Sequence, residues 1–141
     1  MDVEELLARE EIRDLVARYN ANGDAGRYEQ VLELFAPDAV MDVSGTVYRG
    51  RDEIRTIFTG AAADFAAADG FRYVRHATST HQIDMTGPAS AEGWLYFFVI
   101  MAHGLDHWGR YRDRYIAVDG HWRFEHRRVV VDGYYDGRDV G

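Results

Sequence analysis

The segment Ala91–Ala102, AEGWLYFFVIMA, limits the possible folds most strongly, because its side chains are apolar on both alternating sets. In an extended strand, Leu95 and Phe97 would lie on one face. Trp94 and Phe98 would lie on the opposite face. A strand of this composition needs cover on both faces. We therefore expect one face to meet helices and the other to meet a partner subunit or the curl of its own sheet.

The chain around this segment has the pattern of long antiparallel strands. Phe71–Met85 is too long and too polar in its middle for one flat strand, so we expect a bulge or bend there. His107–Val118 and His121–Val131 are separated by Asp119-Gly120, a strong signal for a tight hairpin. The carboxyl-terminal half of the chain is therefore predicted to be an antiparallel sheet.

Two amphipathic helical patterns precede these strands. Apolar residues recur at i, i+3, i+4 and i+7 in each, first as Ile12, Leu15, Val16 and Tyr19, and then as Tyr28, Val31, Leu32 and Phe35. Asn22-Gly23 is predicted to end the first helix, and Asp24 is predicted to cap the second. Tyr19 and Asp24 therefore lie near the junction, where both side chains can point toward one interior.

The start of the first helix carries a conflicting pattern. Asp2 followed by Glu5 is typical of a capped helix start. The apolar residues Val3, Leu6 and Leu7, however, fall on the side opposite the later stripe. We expect these first turns either to break away from the helix or to meet a second subunit.

A short hairpin and a third helix connect the first helices to the sheet. Pro37 is predicted to stop the second helix, since proline cannot continue a helix interior. Ala39–Val43 and Thr46–Tyr48 are predicted strands joined by the Ser44-Gly45 turn. Arg51–Ala67 has the apolar periodicity of an amphipathic helix.

Length and composition restrict the function. The 141 residues suffice for one domain with one core, in which 132–141 are expected to form a loose tail or a flap. A net charge of -8 argues against a nucleic-acid surface, and the lack of cysteine excludes disulfides and thiolate catalysis. The acidic start lacks the features of a signal peptide, and no apolar segment approaches membrane-spanning length. We expect a cytoplasmic protein.

Helices first and antiparallel strands afterwards predict an α+β fold with helices packed on one face of a strongly curved sheet. Such a sheet encloses a conical pocket. Several sequence features agree with this arrangement: ARY at 17–19, GD at 23–24, LFAPDAV at 34–40, YRGRDEI at 48–54 and GRYRDRYIAVDGHWRFEHRRV at 109–129. Through them, residues 6–131 resemble the SnoaL-like branch of the cone-shaped NTF2-like superfamily. The resemblance is specific for the fold but not for the substrate, because this fold hosts many reactions.

The resemblance implies three candidate catalytic residues. Tyr19 matches the oxyanion-donating tyrosine of ketosteroid isomerases, and with Asp24 it matches the tyrosine and aspartate pair of bile-acid dehydratase-like enzymes. Asp24 with His76 matches the dyad of dehydrochlorinases, and His76 also resembles a histidine of scytalone dehydratase. The position of the isomerase base is Val43 here, while Asp42 faces the other way, so a copy of that isomerase is not expected.

These residue types suit proton abstraction next to a carbonyl. A histidine oriented by a buried carboxylate can accept a proton near neutral pH. A tyrosine hydroxyl in a dry pocket can donate to the carbonyl oxygen as enolate charge develops. Local roles remain open as well: Asp24 as a helix cap, and Tyr19 as a core residue with a satisfied hydroxyl.

Seven further residues are expected to line the pocket: Val43, Phe58, Trp94, Tyr96, Phe98, Tyr111 and His126. Asp113 shares a face with Tyr111, and an ion pair with Arg128 on the next strand is the structural alternative for that face. His103, Asp106 and His107 have a spacing that resembles metal ligands. They lie at a predicted turn, so no metal is expected. The sequence has no Gly-rich phosphate loop or dinucleotide fingerprint, so no other cofactor is expected.

Together these features predict a cofactor-independent, dehydratase-like lyase or isomerase that acts on a hydrophobic small molecule. A polyketide cyclase of the SnoaL type, which uses an aspartate as acid and base, is one alternative. A nonenzymatic ligand-binding or scaffold subunit is another. A homodimer through the outer face of the sheet is expected from the resemblance and from the doubly apolar strand, and no nucleic-acid or membrane partner is expected.

Overall fold

A computed structural model describes residues 1–67 and 73–140, with the side chains of 65–67 left out. Its helices are α1 Val3–Asp24, α2 Tyr28–Leu32 and α3 Gly50–Ala67. Its strands are β1 Phe35–Val43, β2 Thr46–Arg49, β3 Val74–Gly87, β4 Ser90–Met101, β5 Gly104–Val118 and β6 His121–Tyr134. The residues before Tyr73 in the predicted strand Phe71–Met85 lie outside the described ranges.

The strands form one curved, unclosed sheet in the order β2-β1-β6-β5-β4-β3. Strands β3 to β6 form an antiparallel meander, and β1 pairs in parallel with β6 and antiparallel with β2. Helix α1 packs against β3 and β6, and α3 packs against β1. This confirms the expected α+β architecture, in which helices cover one face of a curved, mainly antiparallel sheet.

The junction between the first two helices differs from the prediction. Helix α1 continues through Gly23 to Asp24, and the left-handed residue that follows it is Gly26, with a φ of 75°. Helix α2 starts after Arg27, which makes no side-chain capping bond. The prediction that Asp24 caps the second helix is therefore wrong. Its carboxylate is used in a tertiary contact instead.

The second helix is also shorter than its apolar periodicity predicts. Helix α2 ends at Leu32, and Phe35 begins β1, where it pairs with Phe124 of β6. The Phe35 carbonyl accepts a hydrogen bond from Arg51 Nε at 3.0 Å. Pro37 lies where the register between β1 and β6 shifts, which is where a strand tolerates a residue without an N–H. Pairing with β6 therefore overrides the helical periodicity.

The amino-terminal turns stay helical. Asp2 Oδ1 accepts from the Glu5 backbone N–H at 2.8 Å, as the capping pattern predicted. The predicted break does not occur, and Val3, Leu6 and Leu7 are 69%, 57% and 64% exposed on the continuous helix. A second subunit at this surface stays a prediction. Among the described residues, no helix combines the length and apolar character needed to cross a bilayer.

The turns and the irregular strand follow the sequence signals. Ser44 and Gly45 have φ values of 50° and 93°, and Asp119 and Gly120 have φ values of 51° and 78°. Two consecutive positive φ angles are typical of the type I′ turn that joins a tight hairpin. The expected irregularity in β3 occurs as a register shift between Thr78 and His81. These local predictions are confirmed.

Strand β4 has one buried and one open face. Leu95, Phe97 and Val99 are 1%, 3% and 0% exposed and belong to the core. Trp94 and Tyr96 lie on the other face, where they are 47% and 56% exposed. The outer aromatic face is therefore partly open within the described chain, with the Arg112 guanidinium stacked 3.6 Å from the centre of the Trp94 ring.

Candidate active site

A cavity of about 990 Å³ lies between the helices and the concave face of the sheet and opens to solvent. Most of its wall is apolar, including Met41, Val43, Ile57, Phe58, Phe97, Val99, Met101, Val129 and Val131. Its polar wall includes Tyr19, Asn20, Asp24, His76, His107 and Tyr111. An apolar pocket with a few convergent polar groups is the usual form of a small-molecule site.

Asp24 and His76 form a hydrogen-bonded pair at the wall of this cavity. Asp24 Oδ1 lies 2.6 Å from His76 Nδ1, and Asp24 Oδ2 accepts from the His76 backbone N–H at 2.8 Å. A carboxylate can only accept, so Nδ1 carries a proton, and Nε2 is the ring nitrogen that can accept a proton when the ring is neutral. The Asp24 side chain is 9% exposed and the His76 side chain is 34% exposed. The pair joins the end of α1 to β3, and the described part of the chain makes no hydrogen bond to His76 Nε2.

Tyr19 lies deeper in the same cavity, on the α1 face that packs on the sheet. Its ring meets four aromatic neighbours at centroid distances of 5.7 to 6.2 Å: Phe35, Phe58, Tyr111 and Phe124. Burial raises the pKa of Tyr19, and the nearby Arg127 guanidinium opposes part of that rise. The phenol therefore keeps its proton at neutral pH and can act as a hydrogen-bond donor.

Tyr111 supplies a second buried phenol. Its ring stacks on Phe97 with centroids 4.5 Å apart. Burial raises the pKa of Tyr111, and the neighbouring Tyr19 adds to that rise. The cavity wall thus contains two phenols that remain protonated. Both residues were selected from the sequence as candidates for the site.

The closed end of the cone holds a buried ion pair. Arg127 Nε and Nη2 donate to the two oxygens of Asp113, each at 2.8 Å, and both side chains are 0% exposed. Tyr115 donates its hydroxyl to Asp113 at 2.7 Å, and His81 Nε2 lies 3.1 Å from that hydroxyl. Burial alone would lower the pKa of Arg127, but Asp113 raises it. Arg127 therefore remains charged beneath Tyr19, with its guanidinium carbon 4.4 Å from the ring centre.

Comparison with known proteins agrees with this architecture. Residues 4–128 match the SnoaL-like domain family. The chain belongs to the SnoaL-like family. No match was found among curated proteins.

Solved structures of the NTF2-like, cystatin-like fold resemble this SnoaL-like protein over most of its length. A scytalone dehydratase-like protein from Novosphingobium aromaticivorans has 21% identity and a TM-score of 0.84, covering 99% of this chain and 93% of its own. A hexachlorocyclohexane dehydrochlorinase from Novosphingobium barchaimii has 16% identity and a TM-score of 0.79, covering 95% and 92%. A Mycobacterium tuberculosis protein of unknown function has 28% identity and a TM-score of 0.79, covering 94% and 76%.

The structure of the SnoaL-like protein places the predicted pocket residues on two different faces. Val43, Phe58 and Tyr111 line the cavity. Trp94, Tyr96 and Phe98 do not: they lie on the outer face of β4 and are 47%, 56% and 36% exposed. The prediction that they line the pocket is wrong, because the alternate set that contains Leu95 packs inward. The sequence pattern was apolar on both sets and could not distinguish them.

His126 is the fourth incorrect pocket residue. Strand β6 has a register shift in which Tyr115 pairs with Phe124 and Arg114 pairs with His126. This bulge reverses the phase of the alternation, so Arg127 turns inward and His126 turns outward. The alternative considered for this face, an ion pair of Asp113 with Arg128, does not form for the same reason, since Arg127 binds Asp113 instead.

Sequence reasoning also missed a second aspartate and histidine pair at this site. Asp106 is buried, and its Oδ2 lies 2.7 Å from Nδ1 of His107, which lines the cavity. Its Oδ1 lies 3.0 Å from His103 Nε2. Among the described residues, no group of three or more acidic, histidine or cysteine side chains is arranged to hold a metal ion. The adjacent residues Asp106 and His107 signal such a pair only when a bulge is placed in β5, because neighbouring side chains of a regular strand point to opposite faces.

Proposed function

We propose that this SnoaL-like protein is a cofactor-independent lyase or isomerase of the dehydratase type, acting on a hydrophobic small molecule. The observation that carries the proposal is the Asp24–His76 hydrogen bond of 2.6 Å at the wall of an apolar cavity. All the groups needed to move a proton between carbon and solvent are side chains of this wall.

In the proposed reaction, His76 Nε2 removes a proton from a carbon next to a carbonyl group. Asp24 holds the Nδ1 proton and stabilises the imidazolium that forms. The hydroxyl of Tyr19 donates to the carbonyl oxygen as negative charge develops on it. Such a contact strengthens in the transition state and therefore accelerates the reaction rather than only binding the substrate.

The cavity supports a substrate with fused or aromatic rings. Its volume of about 990 Å³ lies at the upper end of the range for small-molecule pockets, and its wall is mostly apolar. Two of the similar structures, the scytalone dehydratase-like protein and the dehydrochlorinase, carry names that denote elimination reactions. This likeness favours elimination over double-bond migration as the outcome of proton abstraction.

Two other functions use the same fold and remain outcomes of the test. A SnoaL-type cyclase would use an aspartate as acid and base, but the Asp24 carboxylate at this cavity is engaged with His76. A nonenzymatic binding or scaffold subunit would have no need for a carboxylate that orients an imidazole beside an open cavity. The Asp24–His76 geometry therefore favours an enzyme.

The proposal is tested with fused-ring β-hydroxy ketones, by following enone absorbance and deuterium incorporation next to the carbonyl in D₂O. His76→Gln is expected to lower deuterium incorporation by about 100-fold or more. His126→Gln is the matched control, because His126 is a partly buried histidine outside the cavity. Equal rates for His76→Gln and the unaltered protein would rule out His76 as the base. Ring closure of a linear polyketide ester, together with no loss of water from the fused-ring ketones, would favour the cyclase.

We further propose a cytoplasmic homodimer formed through the outer face of the sheet. Trp94 and Tyr96 are exposed side by side on β4, and large exposed apolar patches commonly mark interfaces. Light scattering should give twice the chain mass, and Tyr96→Glu should reduce it to the monomer mass. A monomer at all concentrations of the unaltered protein would contradict this proposal.

A further inference from the structure

A β-bulge turns two consecutive side chains of β5 toward the interior. Ile100 of β4 pairs with Leu105, and the next residue back, Val99, pairs with His107, so Asp106 is the extra residue. In a regular strand, neighbouring side chains point to opposite faces, and a bulge relaxes that alternation. Asp106 is consequently only 8% exposed, although the adjacent His107 lines the cavity.

The Asp106 carboxylate lies between two imidazoles and fixes the orientation of one of them. Its oxygens lie 2.7 Å from His107 Nδ1 and 3.0 Å from His103 Nε2. Since a carboxylate can only accept, His107 carries a proton on Nδ1, and its Nε2 is the nitrogen left for the cavity. The edge of the His107 ring also packs against Phe97, with centroids 6.1 Å apart. The His107 ring is therefore held from two sides.

The strand register places this imidazole on the same inner face as His76. His76 pairs with Val99, and Val99 pairs with His107, so the three residues form one row across β3, β4 and β5. Directly opposite residues point to the same face of a sheet. Adjacent strands are about 4.8 Å apart, which puts the two histidine Cα atoms roughly 10 Å apart with Val99 between them. A small molecule above Val99 would lie between both rings.

We infer that Asp106 and His107 form a second proton-transfer pair, in which His107 protonates the leaving oxygen of a β-hydroxy ketone while His76 takes the proton from carbon. This inference rests on the proposed function and specifies its substrate class. The C–H electron pair forms the enolate and then the carbon–carbon double bond, while the C–O bond breaks and its electron pair takes the Nε2 proton of His107. In this step His107 starts as the imidazolium and ends neutral, and His76 starts neutral and ends as the imidazolium. Water leaves, and the two imidazoles return to their starting states by exchanging protons with solvent.

The chemistry of the leaving group explains why a second pair is useful. Hydroxide is a poor leaving group, so its departure gains from a proton donor, typically by a factor of about 100 to 10,000. Acetate needs no such proton. A fused-ring β-hydroxy ketone and its β-acetoxy derivative therefore separate the role of His107 from that of His76.

The first experiment compares His107→Gln with the unaltered protein on these two probes. We expect loss of water to fall by about 100-fold or more, and loss of acetate to fall by less than about tenfold. His126→Gln is again the control, with both rates close to those of the unaltered protein. Equal losses on both probes, or no loss on either, would overturn the role of His107. Deuterium incorporation that persists in His107→Gln shows that the His76 reaction survives the substitution.

The second experiment requires no turnover. Nitrogen NMR of the unaltered protein, saturated with 2-naphthol as a fused-ring enol analogue, should shift the Nε2 signals of both His76 and His107. Asp106→Asn should change the tautomer of His107 without changing that of His76. If the unaltered protein processes neither ketone, the proposed function fails for this substrate class. If 2-naphthol then shifts the Nε2 signal of His76 alone, His107 does not belong to the ligand site. If it shifts both Nε2 signals, His107 belongs to that site.

Discussion

Two carboxylates inside the same cone have opposite surroundings. Asp24 at the open end binds His76, whose side chain is 34% exposed to the cavity mouth. Asp113 at the closed end binds Arg127, and neither side chain is exposed at all. The partner of Asp24 can gain and lose a proton and can meet a ligand. The partner of Asp113 stays charged and is sealed by aromatic rings. The same residue type therefore suits the proposed proton transfer at one end and stabilises the fold at the other.

The largest expected effect is on stability at the closed end. Asp113→Ala should lower the free energy of unfolding by about 3 to 5 kcal/mol, because it leaves the Arg127 charge buried without its partner. Asp24→Ala should lower the free energy of unfolding by only about 1 kcal/mol, since the His76 side chain is partly solvated. Urea unfolding of both variants measures the difference. Equal losses would show that the two carboxylates are not used differently.

The reverse ranking is expected for activity. Asp24→Asn should lower deuterium incorporation into a fused-ring ketone by roughly 300-fold, because the amide cannot stabilise the His76 imidazolium. Its unfolding curve should stay close to that of the unaltered protein. A rate within about twofold of the unaltered protein would show that Asp24 only anchors β3 to α1.

Tyr19 lies between the two regions, so its substitution tests whether it belongs to the reacting site or only to the core. Tyr19→Phe should lower the rate by about tenfold to 100-fold through loss of a donor to the developing oxyanion. Tyr115→Phe is the matched control, because its hydroxyl donates to Asp113 and does not line the cavity. Tyr115→Phe should lower the free energy of unfolding by about 1 to 2 kcal/mol and leave the rate of deuterium incorporation nearly unchanged. An unchanged rate for Tyr19→Phe would make Tyr19 a core residue only.

The smallest expected effect concerns acid sensitivity at the closed end. Burial lowers the pKa of His81 from 6.5 to about 4. The folded state thus disfavours the protonated ring. The neutral His81 ring therefore makes its full contribution to the free energy of unfolding above pH 6.5, and that contribution is lost as the pH falls toward about 4. His81→Gln should narrow the stability difference between about pH 7 and about pH 4.5. His121→Gln, a change at a 66% exposed histidine, should leave that difference as it is.

The sequence by itself determined the local elements and most of the architecture. The apolar stripe from Ile12 to Tyr19, the capped start at Asp2 and the Asp119-Gly120 turn are encoded within a few neighbouring residues. Backbone dihedral preferences and side-chain periodicity act at that range. Together with the family resemblance, they were enough to predict the curved sheet and to select Tyr19, Asp24 and His76.

Only the tertiary structure decided which side chains face the cavity. The inward turn of Arg127 in place of His126 depends on a bulge against β5, and the exposure of Trp94 depends on which face of β4 meets the helices. The Asp106–His107 pair likewise depends on a bulge against β4. A shift of one residue in register reverses every following side chain, and register is set by pairing between strands rather than by the local sequence.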